Sequence, residues 1–140
     1  MGPFLLIPLN IESMLAIEYR MRYIIAMQTT PYQLTYYTDA MGEKPFKKWL
    51  YGLRDRSAFA RITTRLERVE LGNVGDHKNV GAGVFELRVH YCPGYRVYYA
   101  HSGNQIVLLL LGGDKTTQEQ DIETAITYWK KHQENKSCDK

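Results

Sequence analysis

Glu86, Arg88 and His90 alternate along one short stretch of the chain, and Arg96 and Tyr98 alternate along the next, beyond a Cys92-Pro93-Gly94 turn. These are two guanidiniums, an imidazole, a phenol and a carboxylate: cations that hold an anion, and groups that carry a proton. Their spacing matters as much as their types. Successive side chains on a strand point to opposite sides, and one side must supply the core. Phe85, Leu87, Val89 and Tyr91 therefore fall on one face with Val97 and Tyr99, and the five polar residues share the other. Segment 83–115 reads as a sheet with one chemically equipped face.

The turn sets which residues meet. A two-residue loop on Pro93-Gly94 would pair Arg88 with Tyr99 and mix the faces, whereas a three-residue loop opposes Tyr91 to Tyr95 and keeps apolar with apolar. The three-residue loop puts His90 across from Arg96, and Arg88 across from Tyr98, within reach of cross-strand contact.

The elements that must carry this face follow from pattern. Residues 33–38, QLTYYT, read as a first strand, closed by the turn chemistry of Asp39-Ala40-Met41-Gly42. Pro45 suits the first turn of a short helix with Phe46, Trp49, Leu50 and Leu53 at helical spacing. Ser57 is the expected cap of a longer helix running to Leu71, with Ala58, Ile62, Leu66 and Val69 buried and Gly72 stopping it. Its other side carries Arg61, Arg65 and Arg68. Such a stripe is more often ordinary surface charge, partly compensated here by Glu67 and Glu70, than a nucleic-acid footprint, yet it could support one.

Segment 72–83 is glycine-rich, but no strand precedes it and no GKS/T follows, so it reads as a flexible connection rather than a phosphate loop. Residues 106–111, IVLLLL, lack alternation and read as a strand buried on both faces, reached by a Ser102-Gly103-Asn104 turn. After Gly112-Gly113-Asp114-Lys115, Thr116 or Thr117 begins a final helix with Ile122, Ala125, Ile126 and Trp129 as its apolar stripe. The end of the chain is polar and expected to fray. The order β-α-α-β-β-β-α predicts an α+β domain, a mainly antiparallel sheet with helices against one face.

At 140 residues the chain suits one domain. Its formal charge of +3 is uneven: residues 44–96 hold eleven basic and five acidic residues, whereas from Val97 onward five basic residues face six acidic ones. That asymmetry is weak evidence for a surface that meets a polyanion. Cys92 and Cys138 read as free thiols in a reducing cytoplasm, and His77, His90, His101 and His132 lack ligand spacing, so neither a metal nor a cofactor is expected. Residues 1–26 are apolar but interrupted by Glu12, Glu18, Arg20 and Arg22, which suits neither a membrane span nor a secretory signal. They read as an extension outside a domain over 27–135, followed by a polar tail at 136–140, with Met27 a credible start.

With these elements in this order, GVFELRVHYCPGYRVYY and LLLLGGDKTTQEQDIETAITYW resemble the RelE/ParE superfamily of toxin-antitoxin toxins. The nearest likeness is to the HigB-like, phage Gp49-type branch, often called addiction module killer proteins, and it spans about residues 32–132. The resemblance implies a RelE-like fold: a four-stranded, mainly antiparallel sheet with two N-terminal helices on one face and a C-terminal helix. It further implies a cytoplasmic toxin that enters the ribosomal A site and cuts messenger RNA as a metal-independent endoribonuclease, with the RNA 2′-hydroxyl as nucleophile. Such chemistry needs a base for the hydroxyl, cations for the charge building on the phosphate, and an acid for the leaving oxygen.

The family's basic positions carry over onto Arg96 in the GYR motif, Arg88 on the preceding strand and Lys115 in the turn before the last helix. Those three would grip the scissile phosphate, while His90, Glu86 or Asp114 moves protons. Alone, Arg88 and Arg96 are more often solvated arginines than catalytic ones; sharing a face and the family motif reverses that preference. Glu86 stands where RelE-type relatives carry a lysine, and it could act as a base, pair with Arg88 or hold the loop after Gly83. His90 divides between proton carrier and turn residue. Tyr98 either stacks a base or covers the sheet, and Asp114 suits a cap or turn better than an acid. Arg61, Arg65, Arg68, Lys78 and Tyr98 complete the RNA-binding candidates.

Two other functions fit the same scaffold: a ParE-like inhibitor of DNA gyrase, and a noncatalytic module that binds only an antitoxin. The grouped basic and proton-carrying residues favour cleavage. The partner that the resemblance implies is a helix-turn-helix antitoxin encoded next door, through which alone the toxin would meet operator DNA; ribosome and messenger RNA are the other partners, and no membrane is involved.

Overall fold

The computed structural model describes residues 10–28 and 31–138, with the backbone alone for 26–28. The chain divides after Thr30 into two units. The first contains helix α1 (Ile11–Gln28), which continues through Met27. Asn10 caps it by accepting a hydrogen bond from the Ser13 N–H at 2.7 Å. Residues 1–9 of the expected extension lie outside the described residues, as do the last two of the tail.

The second unit runs β1 (Gln33–Tyr36), α2 (Pro45–Tyr51), α3 (Arg56–Glu70), β2 (His77–Gly81), β3 (Val84–Val89), β4 (Tyr95–Ser102), β5 (Ile106–Asp114) and α4 (Gln118–Cys138). Its sheet has five strands in the order β1-β5-β4-β3-β2, with β1 parallel to β5 and every other pair antiparallel. The expected α+β class holds, but the four-stranded sheet does not, and α1 adds a helix ahead of the two expected. The fifth strand, β2, lies inside the glycine-rich segment read as a flexible connection. HKNVG shows no period-two pattern because only Val80 of that strand is even partly buried. It is a strand through its backbone pairing with β3, not through its side chains.

Helices cover both faces, not one. On one side α2 and α3 bury Phe46, Leu50, Ile62, Leu66 and Val69 against Leu87, Val97 and Leu109. On the other, α4 buries Ala125 and Trp129 against Val84, Tyr98, Leu108 and Leu110. The unbroken apolar run of β5 follows directly, since Val107 and Leu109 serve the first core while Leu108 and Leu110 serve the second. Gly112 and Gly113 then let both layers close on the backbone. A Cβ on Gly112 would sit 2.0 Å from the Trp49 ring, and one on Gly113 would sit 2.0 Å from Asp121 Oδ2.

The β3–β4 connection spans five residues rather than three. Gly94 N–H donates to the Tyr91 carbonyl at 2.7 Å, folding the turn inside the loop. Arg88 consequently pairs with Arg96, Glu86 with Tyr98 and Val89 with Tyr95, two positions away from the expected register. A slip of two leaves every side chain on its expected face. Tyr91 still meets Tyr95, through stacked rings 6.5 Å apart rather than as a strand partner.

Two helix ends also differ from expectation. Asp55, not Ser57, caps α3, its Oδ1 accepting from Ser57 and Ala58 N–H at 2.9 and 3.2 Å. Helix α4 persists to Cys138, where fraying was expected, and Lys136 near its end reaches back to Ser102 Oγ at 2.8 Å.

Candidate active site

The polar face of β3 and β4 closes around Glu86, which is fully buried. Glu86 Oε1 accepts from Arg88 Nε at 3.2 Å and lies 3.5 Å from Arg96 Nε. Its Oε2 accepts from Gln118 Nε2 at 2.7 Å and from the Tyr98 hydroxyl at 3.4 Å. One carboxylate is thus held between two arginines, a tyrosine and the first turn of α4. Register explains the pair of guanidiniums, because Arg88 and Arg96 are direct cross-strand neighbours and like charges so placed repel. The buried carboxylate beside both offsets that repulsion. Of the three roles open to Glu86, the geometry shows the pairing with Arg88 and extends it to Arg96.

Tyr98 is also fully buried, and burial first, then the nearby Glu86 charge, holds its phenol far above the usual tyrosine range. A base-stacking role for Tyr98 is therefore corrected: its ring belongs to the core beneath α4. Lys78 stands opposite Glu86 on the edge strand, on that same face. Arg96 side chain is 15 % exposed and Arg88 34 %, so Arg88 is the open edge of the cluster.

A second gathering of cations lies along α3. The helix buries Ala58, Ile62, Leu66 and Val69, which turns Arg61, Arg65 and Arg68 outward. Together with Ser57, Thr64, Arg88 and His90 they line an open groove of about 580 Å³. Arg61 lies over the Tyr91 ring, 4.7 Å from its centroid. Arg65 Nη2 donates to the Asp76 carbonyl at 3.2 Å, and burial is the main influence lowering its pKa. Gly75 makes room for it: at φ +65°, a Cβ there would meet the guanidinium at 2.5 Å.

His90 leaves the end of β3 and joins this groove, its Nε2 2.6 Å from Asp76 Oδ2. That hydrogen bond is the first cause holding the Asp76 carboxyl below the ordinary range; Arg88, His90 and Arg65 charges act in the same direction. His90 therefore does not sit opposite Arg96 as expected.

Lys115 and Asp114 occupy a third place. Lys115 N–H donates to the Gly94 carbonyl at 3.0 Å, and its aliphatic stem lies over Gly94. Asp114 accepts from the N–H and hydroxyl of Thr116, which holds its carboxyl below the ordinary range and makes it a turn residue at the entry to α4. Asp121, one helical turn on, accepts from the Thr117 hydroxyl at 2.6 Å.

Of the sequence-derived set, the structure joins Glu86, Arg88 and Arg96 in one cluster, and Arg61, Arg65, Arg68, Arg88 and His90 in one groove, with Arg88 in both. Asp76 and Gln118 were not foreseen. Asp76 is masked by its setting in the glycine-rich segment, and Gln118 carries no pattern that separates it from other polar residues at a helix start.

Both gatherings fall within one recognisable unit. Residues 48–130, more than half the chain, match the family described as Phage derived protein Gp49-like. The chain belongs to this family. A relative from Haemophilus influenzae is 46% identical over 80 residues, covering 57% of this chain and 81% of that protein, and its name is simply "Uncharacterized protein". The Gp49-like match begins inside α2 and ends in α4, so it takes in every residue of the Glu86 cluster and of the groove. Gp49-like proteins are addiction-module killer, RelE-like proteins, and that membership suggests a toxin of a toxin-antitoxin system with an antitoxin as its partner. No helix among the described residues is long and apolar enough to cross a membrane.

Proposed function

We propose that this chain is a ribosome-dependent messenger RNA endonuclease of the HigB-like branch, the toxin half of a type II pair that acts in the cytoplasm. The observation that carries this reading is the open groove in which Arg61, Arg65 and Arg68 face Arg88 and His90. A single-stranded RNA backbone lying along α3 meets three cations spaced at i, i+4 and i+7, which favours phosphate contact without selecting a base. At the β3 end the strand reaches an imidazole beside a guanidinium. There the 2′-hydroxyl attacks the adjacent phosphorus, the charge on the phosphate oxygens is met by arginine, and His90 handles a proton.

Within this reading Glu86 holds Arg88 and Arg96 rather than serving as a base, since a fully buried carboxylate is out of reach of RNA. Two guanidiniums share that one carboxylate, so the cluster retains positive charge for the phosphate through Arg88. Lys115 and Lys78 contribute field rather than contact with the groove.

Inducing the chain in a growing culture and mapping RNA ends tests the proposal. New cuts inside translated messages are the expected result, and Arg88→Ala should remove them while leaving a folded protein. DNA damage without cuts would instead identify a gyrase inhibitor, and neither outcome would leave an antitoxin-binding module. The proposed antitoxin is a helix-turn-helix protein, and operator DNA is met only through it; co-purification with the product of the adjacent reading frame is the corresponding check.

A further inference from the structure

Among the described residues, Asp76 is the carboxylate whose oxygen meets the imidazole in the groove, and its backbone is held in place as well. Its carbonyl is held twice, by Arg88 N–H at 3.0 Å and Arg65 Nη2 at 3.2 Å. The preceding Gly75 carbonyl is met by His77 Nδ1 at 2.8 Å. Segment 75–77 is therefore pinned from α3, from β3 and from within, and its carboxylate is presented to His90 at 2.6 Å. Both side chains remain in contact with solvent, His90 at 75 % exposure and Asp76 at 42 %.

The pairing fixes chemistry at the ring. An ionised carboxylate only accepts, so the imidazole nitrogen facing it must carry the proton. The groups around Asp76 keep it ionised near neutrality: the His90 hydrogen bond, and the Arg88 and Arg65 charges. With Nε2 protonated, a neutral His90 has its lone pair on Nδ1, and that atom has no hydrogen-bond partner among the described residues.

We propose that Asp76 is a positioning residue for His90, fixing the tautomer in which Nδ1 takes the proton from the 2′-hydroxyl of single-stranded RNA in the groove. This rests on the endonuclease reading above. In the step, the 2′-oxygen forms a bond to the adjacent phosphorus as its proton passes to His90 Nδ1. The bond from phosphorus to the 5′-oxygen breaks, and that oxygen takes a proton from water. The products are a 2′,3′-cyclic phosphate and a 5′-hydroxyl, and His90 returns its proton to solvent. Asp76 stays ionised throughout and steadies the imidazolium while it lasts, the division of labour that an aspartate and histidine share in hydrolytic triads.

The test uses the full chain and ribosomes stalled on a short defined message, with cleavage followed at varied ribosome concentration. Rates are taken where circular dichroism shows each variant folded, and Asp76→Ser replaces Asp76→Asn if the latter does not fold. His90→Ala should lower kcat by about 100-fold, within the range typical of a lost general base. Asp76→Asn should lower kcat by about 10-fold or more with KM changed less than about twofold, and Asp76→Glu should recover most of that loss. On the His90→Ala background, Asp76→Asn should cost nothing further, because it acts through the ring. Wild-type kcat in Asp76→Asn, a loss confined to KM, or losses that multiply in the double variant would each overturn the role of Asp76 while leaving the endonuclease standing. A wild-type chain that cuts no message would overturn both.

Discussion

The same two strands serve two gatherings of arginine, and the gatherings differ in what answers their charge. Around Glu86 the answer is internal: a carboxylate with no exposed surface, bonded to Arg88, Tyr98 and Gln118 and close to Arg96. Along α3 the answer is mainly solvent, with Asp76 at one end. Buried charge that loses its partner is costly, whereas exposed charge contributes little to folding and is free to bind. The closed cluster should therefore report on stability and the open groove on affinity. Arg88, 34 % exposed and part of both, is where the two meet.

The largest expected effect comes from opening the closed side. Glu86→Ala strands two guanidiniums, a phenol and an amide, and removal of one member of a buried ion pair typically costs about 3–5 kcal/mol. Because Arg88 is about one third exposed, a loss near the lower figure, about 3 kcal/mol in urea unfolding, is expected. A change below about 1 kcal/mol would erase the distinction between cluster and groove. Gly113→Ala probes the neighbouring entry to α4, driving a Cβ to within 2.0 Å of Asp121 Oδ2. Overpacking of this kind costs about 1–3 kcal/mol, and the same measurement should register it. The Asp121 side chain can yield by rotating, so a cost below that for Glu86→Ala is expected.

The difference between the two regions also explains what could be read from the residues alone. Face assignment survived because alternation depends only on parity, and a register slip of two preserves parity. The partner of each residue did not survive, since matching apolar to apolar is satisfied by a three-residue and a five-residue loop alike, and hydrogen bonding places the turn within 90–94. Strand β5 was legible from its apolar run, which two cores require. Strand β2 was not, because an edge strand with exposed side chains leaves its signal in backbone hydrogen bonds. For the site, Arg88, Arg96 and the α3 arginines were legible as types at a spacing. The enclosure of Glu86 depends on α4 folding back across the sheet to deliver Gln118, 32 positions away, and the place of Asp76 depends on β2.

On the open side, Arg61→Ala with Arg68→Ala should leave urea unfolding within about 1 kcal/mol of the parent, the Arg61 contact with the Tyr91 ring included. Arg65 is excluded from that pair because it holds the Asp76 carbonyl. Binding of a single-stranded RNA oligonucleotide, followed by fluorescence anisotropy across a salt series, should weaken. The slope of log affinity against log salt should fall by about 1.4, since each lost phosphate contact on a single strand contributes about 0.7. An unchanged slope would show that the stripe is only a solvated helix face.

The smallest effect on stability lies at the carboxylate end of the groove, and it is lost in acid. The Asp76 carboxyl is held below its ordinary value of 3.8, chiefly by the His90 hydrogen bond. A carboxyl depressed in the folded state contributes stability that is fully present above the unfolded value and lost as pH falls through the folded one. The parent should therefore be more stable than Asp76→Asn at pH 5, and the gap should shrink as pH drops through 3.8 and below. Asp114 is depressed in the same sense by Thr116, so Asp114→Asn should show a narrowing of the same sign without touching the groove. Cleavage separates the two: Asp76→Asn should lose activity at neutral pH and Asp114→Asn should keep it. A gap for Asp76 that is independent of pH would mean that the carboxylate is not coupled to His90 in solution, and the groove would then be a cationic track with no residue prepared for proton transfer.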